Sequence, residues 1–283
     1  MDERPPLSPP PRHVPTSLHL RVLLGGLLPT IGFAVLAIAG SMALAFVSRS
    51  ELLTFGRFSG ELCTAEGVVT AVEPLSIESN HRTVCRVDFR YEVDGRELAG
   101  SSYADECKLQ PGAPVAVEHV ATAPEVARVR GMRTAPFPAF VAFVLVFPLV
   151  GLGLVVGGVL ANRRRVRLLR DGESTWAVLT DRKPTATRVN SQRVYALEFT
   201  FVDAAGERRV ARERSHRAVW FDEQVARQIL YDPRSRAACL VEMTPGRPRV
   251  VDGEWAPVSP FSLFAVLLLP AVAFVGNWIA LTV

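Results

Sequence analysis

Residues 137–170 read FPAFVAFVLVFPLVGLGLVVGGVLANRRRVRLLR. The apolar part, 137–161, contains no Asp, Glu, Lys, Arg or His, and five arginines follow it within nine residues. A helix needs roughly 20 apolar residues to cross a hydrocarbon core about 30 Å thick. A buried helix of a water-soluble domain is rarely this long and this free of charge. Two other windows, 22–47 and 261–283, are equally uncharged. The expectation is therefore a membrane protein of α+β class, with three transmembrane helices at 22–47, 137–161 and 261–283. They separate two polar segments, 48–136 and 162–260.

The polar segments carry the strand signals. In the first, Cys85-Arg86-Val87-Asp88-Phe89-Arg90-Tyr91-Glu92-Val93 alternates apolar and polar residues, as a half-buried strand does. Asp94-Gly95 follows, a hairpin turn signal. In the second, 195–201 alternates in the same way and ends at an Ala205-Gly206 turn. The two patterns are collinear. Gly95 and Gly206 lie 111 residues apart, and Val117 and Ile229 lie 112 apart. This spacing predicts two small, mutually similar all-β domains, barrel- or sandwich-like, at 48–136 and 162–260. The second has an extra piece around Trp220 and Phe221, read as a short helix.

Charge sets the expected orientation. The first polar segment has 10 basic and 13 acidic residues, the second 19 and 13. Long loops translocate largely regardless of total charge, so the residues flanking the spans decide. Arg163, Arg164, Arg165, Arg167 and Arg170 directly follow the second span, and Arg12 and Arg21 precede the first. Arg128, Arg130 and Arg133 oppose them but are fewer. The N-terminus and the second β-domain are thus expected in the cytoplasm, the first β-domain and the C-terminus outside, in a bacterial inner membrane. The arginine cluster is first a topology anchor and second a contact for anionic lipid. Ala43-Leu44-Ala45 resembles a cleavage site. The apolar run before it is longer than a signal-peptide core, so an uncleaved anchor is expected. Residues 1–21 begin with a proline-rich stretch and read as a disordered cytoplasmic tail.

Three of the four cysteines, Cys63, Cys85 and Cys107, fall in the segment expected outside, where disulfides persist. Cys85 shares the parity of Val87, Phe89 and Tyr91 and so faces the core, which leaves Cys63–Cys107 as the expected bond. Three buried free thiols is the alternative. Within the second span, Gly153, Gly157 and Ala161 recur every four residues, a small-residue face suited to helix packing inside the molecule or between copies.

The residues Gly67-Val68-Val69, Tyr91-Glu92-Val93-Asp94-Gly95, Gly112-Ala113-Pro114-Val115-Ala116-Val117 and Tyr231-Asp232-Pro233 resemble the motifs of the bacterial membrane-protein family called Domain of Unknown Function 3592. The resemblance covers both β-domains and the spans between them. The first β-domain departs from the pattern, with His119-Val120-Ala121 where Tyr-Asp-Pro is expected. The resemblance implies an architecture and no chemistry.

No catalytic motif is present: no Gly-x-Ser-x-Gly, His-Glu-x-x-His, phosphate loop or kinase set. None of His13, His19, His81, His119 and His216 stands at metal-ligand spacing from another His or Cys. His216 with Asp222 and Glu223 reads as solvated surface. No catalytic, metal or cofactor residue is expected, and no cofactor. The net charge of +4 does not point to nucleic acid, since no basic stretch is interleaved with aromatics. The spans lack the ionisable groups that ion carriers place in the membrane. The expected partners are the lipid bilayer and a membrane protein or a second copy of the chain. The first functional reading is a non-enzymatic envelope protein whose β-domains are interaction modules. The second is an accessory or regulatory subunit of a membrane protease or transporter complex. The third is a membrane enzyme with an unrecognised cleft.

Overall fold

The computed structural model describes residues 7–79, 81–189, 191–215, 221–222 and 225–282. The fold is α+β. The described residues form two five-stranded antiparallel sheets, a small two-stranded one, and three helices long and apolar enough to cross a membrane, Leu27–Val47, Ala139–Asp171 and Pro260–Thr282. The chain divides into two compact units, residues 36–149 with 273–283 and residues 1–35 with 150–272.

In the first of these units, β1 (Leu62–Ser79), β2 (Arg82–Val93), β3 (Arg96–Ala104), β4 (Pro114–Val120) and β5 (Ala123–Val129) lie in the order β3-β2-β1-β4-β5. β1 pairs with β4 over 62–68 and with β2 from Gly67 onward. The β1–β2 register slips between Val69 and Ala71, a bulge that bends the strand. The bend curls the sheet until β3 meets β5. There the Val129 N–H donates to Ser102 Oγ at 2.8 Å, and Tyr103 and Arg133 exchange backbone hydrogen bonds at 2.8 and 3.0 Å. A three-strand meander with a fourth strand returning beside the first is a Greek key. Closure makes it a partly open five-stranded barrel, a layout that hosts many functions and fixes none. Phe89, Tyr91, Val117 and Val129 fill the interior.

The second unit repeats this pattern. β6 (Glu173–Val189), β7 (Gln192–Val202), β8 (Arg208–Ser215), β9 (Arg227–Tyr231) and β10 (Ala238–Leu240) lie in the order β10-β9-β6-β7-β8. The equivalence reaches single residues. Gly67↔Tyr91 becomes Ala177↔Phe201, Val69↔Phe89 becomes Leu179↔Phe199, and Pro74↔Cys85 becomes Pro184↔Tyr195, each shifted by 110. Both long strands bulge at the matching place, between Val69 and Ala71 and between Leu179 and Asp181. Both first hairpins turn through a non-glycine residue at positive φ, His81 at 62° and Ser191 at 64°. A small residue faces each core phenylalanine, Gly100 opposite Phe89 and Ala211 opposite Phe199. A Cβ on Gly100 would come within 2.6 Å of the Phe89 ring. Most of the segment read as a short helix, including Trp220, His216 and Glu223, lies outside the described residues.

Four sequence expectations are corrected. The disulfide joins Cys85 to Cys107, with 5.5 Å between Cα atoms, and Cys63 is a free, exposed thiol. Cys85 does face inward, but Cys107, in the β3–β4 connection, reaches it there. The inward position that argued against Cys85 is where the partner sits.

The tail is not disordered over residues 7–21. The helix Thr16–Leu24 buries Leu18 and Val22 completely, in a cluster with Val166, Leu169, Leu230, Val241 and Trp255. Arg12 donates through Nη1 to the Gly172 carbonyl at 2.6 Å, and its backbone N–H donates to the Arg170 carbonyl at 2.7 Å. A guanidinium suits the carbonyl-rich, negative end of a long helix. The apolar window 22–47 is therefore two helices. The chain breaks at Gly25-Gly26, with Gly26 at φ 92°, and the apolar helix starts at Leu27.

The second apolar helix does not stop at residue 161. It runs on to Asp171, because Val166, Leu168 and Leu169 find apolar partners beyond the uncharged run. β9 is buried on both faces for the same reason. Ile229 and Tyr231 point into the barrel, and Leu230 points to this outer cluster.

Finally, a Cβ added to Gly153 or Gly157 would meet nothing within 4 Å, and Ala161 is exposed. The packed glycines are Gly151 and Gly158. A Cβ on Gly151 would lie 3.1 Å from the Gly32 carbonyl oxygen, and one on Gly158 would lie 2.5 Å from Pro29 Cδ. At about 100° per residue, Gly151 and Gly153 stand on nearly opposite sides of the helix. Packing within the chain therefore uses the face of Gly151 and Gly158, and the face of Gly153, Gly157 and Ala161 stays open to a second copy.

The 36–149 and 273–283 unit also accounts for the single amide in the third apolar helix. Residues Leu36–Gly40 form a π-helical turn. Asn277 donates through Nδ2 to the Leu36 carbonyl at 3.2 Å and to its own helix at Ala273 O, 2.6 Å. A wide turn leaves a carbonyl short of a donor, and the amide supplies one. Gly40 permits the approach, since a Cβ there would be 2.6 Å from Asn277 Oδ1.

Candidate functional site

The most organised polar surface surrounds the β9–β10 turn in the second barrel. Tyr231 ends β9 and ties three segments together. Its hydroxyl donates to Glu173 Oε2 at 2.5 Å and accepts the Ala204 N–H at 2.9 Å. Asp232 then shapes the turn: Oδ1 accepts the Arg234 N–H at 2.9 Å and Oδ2 accepts the Ser235 hydroxyl at 2.8 Å. These bonds hold the Asp232 carboxyl below its ordinary pKa, with the positive charges of Arg234 and Arg209 adding to the effect. Pro233 keeps the chain from extending the strand.

Arg209, on β8, clamps the turn from the side. It donates to the carbonyls of Asp232 at 3.3 Å, Ser235 at 3.2 Å and Pro233 at 3.2 Å. Its Nε lies 2.7 Å from Asp203 Oδ2, whose side chain is only 3% exposed. The guanidinium carbon also sits 5.8 Å from the Tyr231 ring centre. The Tyr-Asp-Pro motif thus has a structural account, as a rigid turn built around one arginine.

The turn faces the extended end of the second apolar helix across a cleft of about 820 Å³. Arg164 and Arg167 line it from the helix, and Arg234 and Arg236 from the turn. Asp171, Asp232, Pro233, Leu168 and Ala237 complete most of the wall. Arg236 also lines two adjacent depressions, one with Arg208 and Arg209, the other with Arg165 and Arg212.

The five predicted arginines therefore divide. Arg164 and Arg167 enter the cleft. Arg163 and Arg170 are exposed outside it, and Arg170 stands 3.6 Å from Asp171. Arg165 instead pairs with Glu213 of β8 at 3.2 Å. Glu213 is largely buried, and burial raises its pKa; Arg165 and the Leu240 N–H pull it back. Cys239 lies beside this pair, and burial pushes its thiol up to about 12. It packs in the outer apolar cluster with Leu230 and Val241.

Sequence reasoning did not assign Arg209, Arg234 or Arg236. The run Asp232-Pro233-Arg234-Ser235-Arg236 held the signal, two arginines on a turn that cannot continue a strand. What the sequence could not supply was the helix extension that brings Arg164 and Arg167 opposite them. Among the described residues, no group of three or more His, Cys, Asp or Glu converges as a metal site would require. No family model matches the sequence, and neither does any curated protein.

Proposed function

We propose that this chain is a three-span protein of the bacterial inner membrane, of the kind its motifs resemble, in which two barrels act as non-enzymatic interaction modules on opposite faces of the bilayer. One observation carries the membrane reading. The three apolar helices present Ile38, Phe140, Leu149, Phe261, Phe274 and Trp278 to their surroundings, each more than 60% exposed. Contiguous exposed apolar surface on this scale needs a non-aqueous environment. The five arginines after the second span favour a cytoplasmic second barrel. The Cys85–Cys107 bond favours an oxidising compartment for the first. The rigid, arginine-clamped turn of the second barrel favours binding.

The orientation is tested with a membrane-impermeant maleimide on intact cells. Cys63 is the one exposed native thiol, and Ala205→Cys, on the exposed β7–β8 hairpin, reports on the other barrel in a Cys63→Ala background. The expected result is labelling of Cys63 before lysis and of Ala205→Cys only after it. The opposite pattern inverts the topology, and labelling of both in a soluble fraction ends the membrane reading.

A further inference from the structure

We infer that the cleft between the second apolar helix and the β9–β10 turn binds a phosphate-bearing anion, with a lipid headgroup as the source its position favours. The inference rests on the membrane reading above.

Charge and availability come first. Four arginines line the cleft against two carboxylates, Asp171 and Asp232. Both oxygens of Asp232 are taken by the turn itself. Among the described residues, the guanidiniums of Arg164, Arg167, Arg234 and Arg236 make no hydrogen bond or ion pair. Elsewhere in the same unit arginines are used structurally: Arg165 on Glu213, Arg209 on Asp203, Arg212 on Glu198. Four unpaired forks lining one concavity can be satisfied by a multi-oxygen anion, because a guanidinium matches phosphate oxygens two at a time.

Rigidity comes second. Arg209 and Asp232 fix the turn before any ligand arrives, so binding need not order it.

Position comes third. Arg164 and Arg167 lie three and six residues past the uncharged run, hence roughly 5 and 9 Å further along the helix axis. The headgroup layer is about 5–7 Å deep on each side of the core, so Arg164 starts within it and Arg167 starts just beyond it, with a side chain long enough to reach back. The positive-inside rule accounts for arginines beside a span. It does not account for Arg234 and Arg236, which lie more than twenty residues from either neighbouring span and yet line the same cleft.

The test uses the full-length protein in nanodiscs and in detergent. Lipid retention is measured by native mass spectrometry after exchange into phosphatidylcholine alone or with phosphatidylglycerol. Inorganic phosphate, titrated against thermal unfolding in detergent, is the soluble arm. The cleft variant is Arg234→Gln with Arg236→Gln, both on exposed positions. Arg164→Gln with Arg167→Gln attacks the cleft from the other wall, and Arg163→Gln with Arg170→Gln removes the same charge outside it.

Both cleft variants should lower phosphatidylglycerol retention by at least about tenfold, while the outside variant stays within about twofold. Equal loss in all three variants would mean diffuse surface attraction and would overturn the site. So would unchanged retention in the cleft variants while the protein stays inserted. Stabilisation by millimolar phosphate, lost in the same two variants, supports the anion site and assigns it to soluble phosphate instead. Failure to insert into nanodiscs at all defeats the membrane reading, and the site's lipid source with it.

Discussion

Arg209 shows how one side chain can set a local structure. Its charge answers Asp203, its donors hold three carbonyls of the turn, and its face lies near Tyr231. Removing one partner of a pair this buried leaves the other carboxylate uncompensated. Arg209→Ala should destabilise the second barrel by about 3 kcal/mol, read from denaturant midpoints. Arg209→Lys should recover less than half of that, because a single ammonium cannot reach three carbonyls and a carboxylate together. A loss under about 1 kcal/mol would show that the turn holds without the clamp.

Glu213 gives a pH signature in the same barrel. Burial raises its folded-state pKa above the unfolded value of about 4.3. The folded state therefore binds the proton more tightly. The associated stability is fully present below the unfolded pKa and is lost as pH rises through the raised one. The stability of the native chain relative to Glu213→Gln should fall over that window and then level off. A difference that is flat with pH would mean that Arg165 cancels the desolvation.

At the scale of elements, the contrast between the two glycine faces is directly testable. Gly158 packs on Pro29, and a side chain there collides with a proline ring and with the backbone that carries it. Gly158→Leu should cost about 1–3 kcal/mol as overpacking, seen as a lower melting temperature in detergent. Gly157→Leu should be neutral within about 0.5 kcal/mol, since nothing faces it. Equal effects at both positions would mean that Gly157 meets a surface outside this chain.

The same contrast marks what the sequence revealed and what it hid. Long apolar helices, strands and the repeat were legible because each depends on periodicity or on local turn chemistry. Uncharged runs gave the helices, and alternation gave β2 and β7. Asp94-Gly95 gave a two-residue hairpin with both residues at positive φ. The features that were missed all depend on what an element touches. The break at Gly25-Gly26 lies inside an apolar run, and the packing of Leu18 and Val22 sets the first helix apart from the apolar helix that follows it. The extension to Asp171 follows from Val166 and Leu169 finding partners more than sixty residues away. The Cys85–Cys107 bond needed the β3–β4 connection to fold back over β2. The cleft needed the helix extension and the β9–β10 turn together, which is why its helix arginines were visible and its turn arginines were not.

At the scale of the whole molecule, two compact units of the same barrel topology differ in how they are secured. The barrel in the 36–149 and 273–283 unit carries the disulfide. The other has Tyr195 at the position of Cys85 and relies on a second apolar cluster outside the barrel, built from Leu18, Val166, Leu169, Leu230 and Trp255. Two units held by different means need not unfold together. The bond closes a loop of 22 residues, which in the chain-entropy model is worth about 3 kcal/mol. For a barrel of this size that is on the order of 15 °C in melting temperature. Calorimetry of the detergent-solubilised chain should therefore show two transitions, and a reductant should lower only one of them. Leu18→Ala should lower only the other, by about 2–5 kcal/mol for a fully buried leucine. Hydrogen exchange assigns the transitions, with β2 and β4 losing protection in the reductant-sensitive one and β7 and β9 in the other. A single transition that responds to both perturbations would mean that the units melt as one body, and that what binds at one barrel reaches the stability of the other.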